Sequence, residues 1–182
     1  MLFSLYTYMK KKILITGKRN IDSFSSKKDK KRLESKKWNN LEYFKDMDMK
    51  KQIELLNRLY LNEEYEGKKF VEKEIKRKLL SYKNQDNKNE IYDVNYFISY
   101  EDTVEKLVIS KLKCFYCKSD CKLMYENVRE KKQWTLDRTD NDEGHNKKNV
   151  VICCLECNLK RGTMDDEKFR FAKQMRIIKK NN

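Results

Sequence analysis

Two pairs of cysteines, each with two residues between its members, most strongly constrain what this chain can fold into. The first pair is Cys114 and Cys117, the second is Cys154 and Cys157, and residues 118–153 lie between them. Each CxxC can form a turn that points both thiolates at one ion, and two such turns complete a tetrahedral four-thiolate site. The spacing therefore predicts a structural zinc ion, which contributes on the order of 10 kcal/mol to folding in a small module.

The other cysteines and the N-terminus bear on the compartment. Cys121 is an alternative zinc ligand, whereas Cys153 would end a buried strand and is assigned to packing. Tight CxxC spacing without a secretion signal favours metal ligation over disulfides. The apolar run 1–9 is short and is followed by Lys residues at 10–12, so we expect neither a signal peptide nor a membrane span. A cytoplasmic or nuclear location is expected, in a host cell if the protein is viral.

The charge balance indicates the class of partner. The chain carries 43 Lys and Arg against 29 Asp and Glu, a net charge of +14, which attracts a polyanion such as DNA or RNA. A compositional bias toward Lys, Asn, Ile and Tyr would supply lysines too, but it would not force such a surplus. Only 38% of the residues are hydrophobic, so a bound metal would support a thin core. We expect DNA as the partner, and nothing in the sequence identifies a protein partner.

The 182 residues divide by composition into four parts. Residues 1–40 are a basic arm or linker, in which 13–16 fit either a short strand or part of a frayed arm. Residues 41–112 carry helical patterns and form a candidate DNA-binding or specificity part. Residues 113–170 hold the cysteines and form the chemical module. Residues 171–182 are expected to be a basic tail.

The second part predicts helices because its apolar residues recur at steps of three and four. The predicted helices are 41–62, 68–82 and 102–112. Residues 84–90 contain no apolar side chain and predict an exposed loop. Asp102 or Thr103 is the expected N-terminal cap of the third helix. The apolar stripes are interpreted as core and not as ligand sites.

Between the cysteine pairs, the pattern predicts a strand, a loop, a second strand and a helix. Gln133–Leu136 has strand-forming residues and leads into Asp137, and a polar loop follows. Asn149 opens a second apolar run, Val150–Cys153, and a helix begins at Leu155. This order is a ββα unit. The expected fold class is α+β, with a mainly helical N-terminal part followed by a zinc-stapled ββα module.

This segment resembles the HNH endonuclease family, whose ββα-metal fold is often stapled by two CxxC pairs. Asp137 at the end of the first strand, Asn149 at the start of the second and Asn158 after the second CxxC match the family pattern. Lys160-Arg161-Gly162 then follows, as Lys or Arg and Gly often do in the family. The run Leu-Asp-Arg-x-Asp…Gly-His…Asn-Val-Val…Cys-x-x-Cys-Asn is similar to a phage- and virus-type branch, over about 50 of the 182 residues.

The resemblance implies a metal-dependent DNA endonuclease or nicking enzyme that hydrolyses phosphodiester bonds. Asp137 and Asn158 would hold a catalytic Mg²⁺ or Mn²⁺, in addition to the structural zinc. Asn149 would hold the loop in shape by hydrogen bonding. Lys160 and Arg161 would contact the DNA backbone from the helix.

One departure from the family concerns the general base. The family normally places a His after the Asp, whereas this chain has Arg138, which cannot accept a proton but can bind a phosphate. His145 is the single histidine, and imidazole chemistry suits a replacement base. A metal-bound water or Asp140 is the alternative. A module without a base would instead be a non-catalytic zinc-dependent nucleic-acid-binding protein, or a zinc-bearing adaptor for protein partners.

Overall fold

The computed structural model describes residue 44 and residues 47–175. Three helices come first: α1 (Met49–Tyr60), α2 (Lys68–Lys88) and α3 (Tyr100–Ile109). The strands β1 (Trp134–Arg138) and β2 (Val150–Cys154) follow, and then the helices α4 (Leu155–Arg161) and α5 (Asp166–Gln174). The described chain is therefore of mixed α+β class, as the sequence predicts. The short strand considered at 13–16 lies outside the described residues.

Helix α1 is held by its apolar face and by its first turn. The carboxylate of Asp48 accepts a hydrogen bond of 2.8 Å from the main-chain N–H of Lys51, which caps the helix. Leu55, Leu56 and Leu59 are buried on the side that packs against α3. The predicted helix 41–62 is thus found in shorter form, and its positions 41–43, 45 and 46 lie outside the described residues.

Helix α3 begins earlier than predicted. Its cap is Ser99 and not Asp102 or Thr103, because the Ser99 hydroxyl accepts a hydrogen bond of 3.0 Å from the N–H of Asp102. Thr103 cannot serve as the cap since its side chain is buried and donates to the main-chain oxygen of Ser99. The helix ends at Ile109, three residues before the predicted end at 112.

Helix α2 is longer than predicted, so the loop expected at 84–90 is wrong as far as Lys88, whereas the expected exposure holds for every residue of that segment except Asp86. The helix runs to Lys88 although its last turns contain no apolar residue. Asp86 explains the extension, because its side chain is fully buried and bonds to His145, 59 residues further along the chain. A tertiary contact of this kind overrides local propensity. Glu90, with φ of +60°, then turns the chain away.

The two strands pair antiparallel in the register Trp134↔Cys154 to Arg138↔Val150. Both strands are found where the apolar runs predict them. Trp134, Leu136 and Ile152 are buried in the core that the hairpin shares with the helices. None of the helices in the described part of the chain has the length and apolar composition needed to cross a membrane.

One face of α2 lies along β1 through three polar side chains, Lys78, Tyr82 and Asp86, which we call the α2 polar stripe. Their spacing of four places them on the same side of the helix. Nζ of Lys78 donates to the main-chain oxygen of Trp134, and the Tyr82 hydroxyl accepts from the N–H of Leu136 at 3.0 Å. The helical part and the hairpin are therefore joined by directed hydrogen bonds as well as by the shared core.

Helix α5 was not predicted, and its last residues lie in the segment expected to be a basic tail. The Asp165 side chain caps it by accepting from the N–H of Lys168 at 2.9 Å. Phe169 packs edge-on against the ring of Tyr116, with 5.0 Å between the ring centroids. Gln174 donates to the main-chain oxygen of Tyr116 at 2.9 Å. The helix thus packs on the turn between Cys114 and Cys117.

Candidate functional site

The four paired cysteines converge on one point. The sulfur atoms of Cys114, Cys117, Cys154 and Cys157 all lie within 4.8 Å of one another, and those of Cys117 and Cys154 are 3.9 Å apart. A tetrahedral zinc ion with Zn–S bonds of about 2.3 Å separates its sulfurs by about 3.8 Å. The four side chains could therefore hold a metal ion, and their geometry is consistent with structural zinc.

The hairpin and α4 bring the two cysteine pairs together. Cys154 ends β2 and Cys157 lies in the first turn of α4, so the strand-to-helix junction forms one half of the cluster. The first CxxC turn docks on the same strand, because the N–H of Phe115 donates to the main-chain oxygen of Ile152 at 2.9 Å. Lys118 closes that turn with a left-handed backbone, φ +59°.

The chemistry of these sulfurs also suits a cation. Burial, together with the charge of Cys114, raises the pKa of Cys157 to about 12. Four adjacent thiolates without a positive charge would repel one another, and a bound metal ion removes that cost because it ligates the deprotonated form. The remaining cysteines, Cys121 and Cys153, are buried and are not among the four converging sulfurs, although the thiol of Cys121 lies within hydrogen-bond distance of Cys114. Cys153 instead lies 3.2 Å from the Thr135 hydroxyl, within the hairpin.

Asp137 lies at the end of β1 with only 7% of its surface exposed. Its Oδ2 accepts a hydrogen bond of 2.6 Å from the Tyr116 hydroxyl, and its Oδ1 accepts one of 3.1 Å from Nη1 of Arg161. Burial raises the pKa of Asp137, although both hydrogen bonds act to lower it. Both oxygens of the expected metal ligand therefore already have protein partners.

Arg161 occupies a different place from the one expected of a DNA contact. It is 2% exposed, and besides Asp137 it donates to the main-chain oxygens of Arg138 at 2.6 Å and Thr139 at 2.8 Å. Its guanidinium thus fastens the end of α4 to the end of β1. Lys160, the preceding residue, is exposed and pairs with Glu156 at 2.6 Å.

Asn158 projects from α4 toward the residues that precede Asp137. Its Nδ2 donates to the Thr135 hydroxyl at 3.2 Å and to the main-chain oxygen of Leu136 at 3.1 Å. Carboxylate and amide oxygens are the donors that Mg²⁺ and Mn²⁺ prefer, so the donor types of Asp137 and Asn158 fit such an ion. The guanidinium of Arg161 donates to the same carboxylate and would compete with a metal ion for its Oδ1.

Asn149 fastens the loop that joins the two strands. Its Oδ1 accepts from the Thr139 hydroxyl at 2.9 Å and from the N–H of Asp140 at 2.8 Å. Its Nδ2 donates to the main-chain oxygens of Asp140 at 2.8 Å and Gly144 at 3.0 Å. All of its amide groups are therefore used inside the loop, and none is directed at a ligand.

His145 lies in the same loop but packs on α2. Its Nδ1 is 2.6 Å from Oδ1 of Asp86, its main-chain N–H donates to Oδ2 of Asp86 at 2.6 Å, and its ring centroid is 4.6 Å from that of Tyr82. The side chain is only 4% exposed. Burial lowers the pKa of His145, Asp86 raises it and the charge of Arg138 lowers it.

The other two polar candidates lie near the surface. Arg138 is half-buried, and its Nη1 donates to the main-chain oxygen of Glu143 at 3.2 Å. Asp140, the alternative base, is exposed and accepts from the N–H of Asp142 at 2.9 Å. Among the described residues, no hydrogen bond or ion pair joins Arg138 or Asp140 to His145, although the charge of Arg138 lowers the pKa of the imidazole.

Three residues around the site were missed by sequence reasoning: Asp86, Tyr82 and Tyr116. Tyr116 stands inside the first CxxC and Asp86 in a run of polar residues, so neither breaks its local pattern. The one available signal was the spacing of four between the polar residues of the α2 polar stripe, which is a helical period.

Comparisons with known proteins add no assignment to this geometry. No protein-family model, no curated protein and no solved structure matches this chain.

Proposed function

We propose that this chain is a metal-dependent DNA endonuclease or nicking enzyme of HNH type. The observation that supports it is the ββα unit, which gathers the residues of the family pattern at one end of its hairpin. Asn158 bonds to the main chain beside Asp137, and Asn149 bonds to Thr139 on the other side of Arg138. Four cysteines that could hold a metal ion anchor the same hairpin and helix.

In this proposal the cysteine cluster holds zinc and has a structural role. A four-thiolate site is closed, so no coordination position remains for water or substrate. Its action on the site is mechanical, because Tyr116, between Cys114 and Cys117, donates to Asp137. The zinc site thus holds the first turn against the end of β1.

His145 is the proposed general base. Its Nε2 has no hydrogen-bond partner among the described residues, whereas Nδ1 is bonded to Asp86. A water oxygen attacks the phosphorus of the scissile phosphodiester, and the proton of that water moves to Nε2. The bond from phosphorus to the leaving sugar oxygen breaks, and that oxygen takes a proton from solvent. The lowered pKa keeps the imidazole neutral near pH 7, which is the form that a base requires.

Asp137 and Asn158 would hold Mg²⁺ or Mn²⁺. When bound, such an ion stabilises the negative charge that develops on the phosphate oxygens. Two protein oxygens are sufficient, since Mg²⁺ usually keeps waters and takes substrate phosphates as its other ligands. Arg161 then acts on Asp137 from inside the protein, where it orients the carboxylate.

The proposed DNA contacts are those cations that stay outside the core. Lys160 is exposed on α4, and Arg138 is half-buried beside the loop. The net charge of +14 supplies the long-range attraction for the phosphate backbone. Arg161 is left out of this surface because it is enclosed by Asp137 and two carbonyl oxygens.

A second candidate is favoured by the state of Asp137. Tyr116 and Arg161 occupy both of its oxygens, and the ion pair with Arg161 is buried. A carboxylate of this kind also suits a purely structural role in a module that binds nucleic acid without cleaving it. The zinc-dependent fold and the basic charge would serve that function equally well.

The deciding experiment incubates the purified protein with supercoiled plasmid and Mg²⁺ or Mn²⁺. The variants are Asp137→Asn and His145→Gln, and the matched control is Asp140→Asn, which changes an exposed carboxylate of the same loop. Metal-dependent nicking that is lost in the first two variants and kept in the control supports the nuclease. Salt-sensitive DNA binding without cleavage in either metal supports the binding module instead.

A further inference from the structure

We propose that Asp86, from the helical part of the chain, is a positioning residue that fixes the tautomer and orientation of His145. It holds the ring with Nδ1 protonated and so leaves Nε2 as the nitrogen that can accept a proton. The tautomer and orientation of His145 follow from this structure alone. The role of Nε2 as a proton acceptor in catalysis rests on the proposed nuclease function.

The contact geometry determines the direction of the hydrogen bond. An ionised carboxylate can only accept hydrogen bonds, so the 2.6 Å contact from Nδ1 of His145 to Oδ1 of Asp86 requires a proton on Nδ1. A neutral imidazole has one N–H, and its second nitrogen is then an acceptor with a free lone pair. The other oxygen of Asp86 accepts the main-chain N–H of the same residue at 2.6 Å. Asp86 thus holds both the ring and the backbone of His145.

The burial of Asp86 shows that this contact is built and not incidental. The residue is 0% exposed, and a buried carboxylate is costly unless its oxygens are fully bonded. The turns of α2 around it contain no apolar residue that would draw them into the core. The interaction with His145 is therefore what the end of α2 contributes to the fold.

The loop around His145 is fitted closely to the same helix end. A Cβ on Gly144 would lie 2.6 Å from the main-chain oxygen of Ile91 and 3.0 Å from Oδ2 of Asp86, so only glycine fits there. The main-chain oxygen of His145 accepts a hydrogen bond of 2.9 Å from the N–H of Ile98. The end of α2 and the segment after it thus enclose His145, through Asp86, Ile91 and Ile98; we call these three residues the seat of His145.

Three groups set the charge environment of the imidazole. Asp86 bonds to Nδ1, the aromatic ring of Tyr82 packs against the imidazole with 4.6 Å between the ring centroids, and the positive charge of Arg138 in β1 also acts on the imidazole. Tyr82 also links this seat to the strand, because its hydroxyl accepts from the N–H of Leu136, the neighbour of Asp137. The helical part therefore belongs to the candidate active site and is more than a DNA-binding arm.

The chain has one histidine, so the imidazole signals in ¹⁵N NMR spectra belong to His145 and need no resonance assignment. We expect long-range ¹H–¹⁵N spectra of the wild type to show a protonated Nδ1 and an unprotonated Nε2. Asp86→Asn keeps the shape of the side chain but removes its charge. In this variant we expect His145 to lose its single fixed tautomer. The matched control is Lys78→Met, which removes another member of the α2 polar stripe and should leave the imidazole signals unchanged.

Plasmid nicking then tests whether Nε2 of His145 acts as the proton acceptor in catalysis. Asp86→Asn should reduce kcat by at least about 10- to 100-fold, the range found for groups that orient a metal-ligating imidazole, with KM for DNA unchanged. The acidic limb of its pH profile should move to lower pH, because the carboxylate that raises the pKa of His145 is gone. Lys78→Met should retain the wild-type profile.

Three results would overturn the inference in whole or in part. A proton on Nε2 in the wild type refutes the tautomer directly, even if Asp86→Asn proves unable to fold. An Asp86→Asn protein with lower stability but unchanged imidazole signals, kcat and pH profile shows that the residue is only structural. A wild type that never cleaves DNA, yet has Nδ1 protonated, refutes the nuclease function while leaving the tautomer established.

Discussion

The hydroxyl of Tyr116 donates a hydrogen bond of 2.6 Å to Oδ2 of Asp137, and so connects the first CxxC turn to the end of β1. Tyr116 is fully buried between two cysteines of the cluster. Any ion held by those cysteines therefore acts on the carboxylate through a single side chain. This link makes the candidate metal centre and the hairpin site one unit.

Removing that hydroxyl should destabilise the protein. Tyr116→Phe leaves an oxygen of a buried carboxylate without a donor, and we expect a loss of about 1–3 kcal/mol in the free energy of unfolding, measured with urea. Tyr82→Phe is the matched control, because it removes a buried hydroxyl from a neutral main-chain N–H. A larger loss in Tyr82→Phe would contradict the charge-assisted bond to Asp137.

The purified protein should contain one zinc ion per chain. Cys157→Ser should abolish zinc binding, measured by elemental analysis, because the remaining three thiolates leave the site open to solvent. Cys121→Ser should retain the ion, since Cys121 is buried beside Cys114 but is not one of the four sulfurs that lie within 4.8 Å of one another. Loss of zinc from Cys121→Ser alone would instead make Cys121 the ligand.

The two neighbouring cations of α4 should behave differently. Arg161→Met removes the partner of a buried carboxylate and of two carbonyl oxygens, and should cost about 3–5 kcal/mol of stability. Lys160→Met should leave the unfolding midpoint unchanged and weaken DNA binding, with a shallower dependence on salt. Equal stability of the two variants would show that the Arg161 clamp is absent in solution.

A side chain at Gly144 should disturb the seat of His145. Gly144→Ala places a methyl group against the main-chain oxygen of Ile91, so the loop must shift, at a cost of about 1–3 kcal/mol. Gly162→Ala is the control, because its Cβ would meet nothing within 4 Å although its φ of +55° favours glycine. The imidazole NMR signals should move in Gly144→Ala and stay in place in Gly162→Ala.

The stability of the protein should depend on the charge of His145. Burial keeps the pKa of the folded imidazole below its ordinary value of 6.5, so the unfolded chain binds this proton more readily. The stabilisation that the folded protein gains by keeping this imidazole neutral is complete above pH 6.5. It is lost as the pH falls through the pKa of the folded imidazole. We expect NMR titration to give a pKa below 6.5 for His145. His145→Gln should show a smaller loss of stability between pH 7 and pH 5 than the wild type.

The sequence was sufficient for the parts of the fold that depend on local pattern. The spacing within each CxxC predicted which four sulfurs meet, and the apolar runs on either side of the polar loop predicted both strands. These features succeed because each is set by neighbours two to four residues away, through turn geometry or strand alternation.

The contacts that join distant segments could not be read in the same way. Asp86 looks like a loop residue in a polar run, and its burial depends on His145, 59 residues away. Arg161 looks like a surface cation at the end of a basic helix, yet it pairs with Asp137 inside. A buried polar residue has no hydrophobic signature, so only its partner reveals it.

The outer edge of β1 is occupied at Trp134 and Leu136, and this has a consequence for self-association. The main-chain groups of Trp134 and Leu136 that face away from β2 bond to three parts of the chain. In the loop before β1, the oxygen of Lys122 accepts from the N–H of Trp134; on α2, Lys78 donates to the oxygen of Trp134 and Tyr82 accepts from the N–H of Leu136; on α4, Asn158 donates to the oxygen of Leu136. Open strand edges recruit strands from other molecules. A fragment cut before Cys114 would uncover two of these four groups by removing α2, and the liberated edge would drive its copies to aggregate.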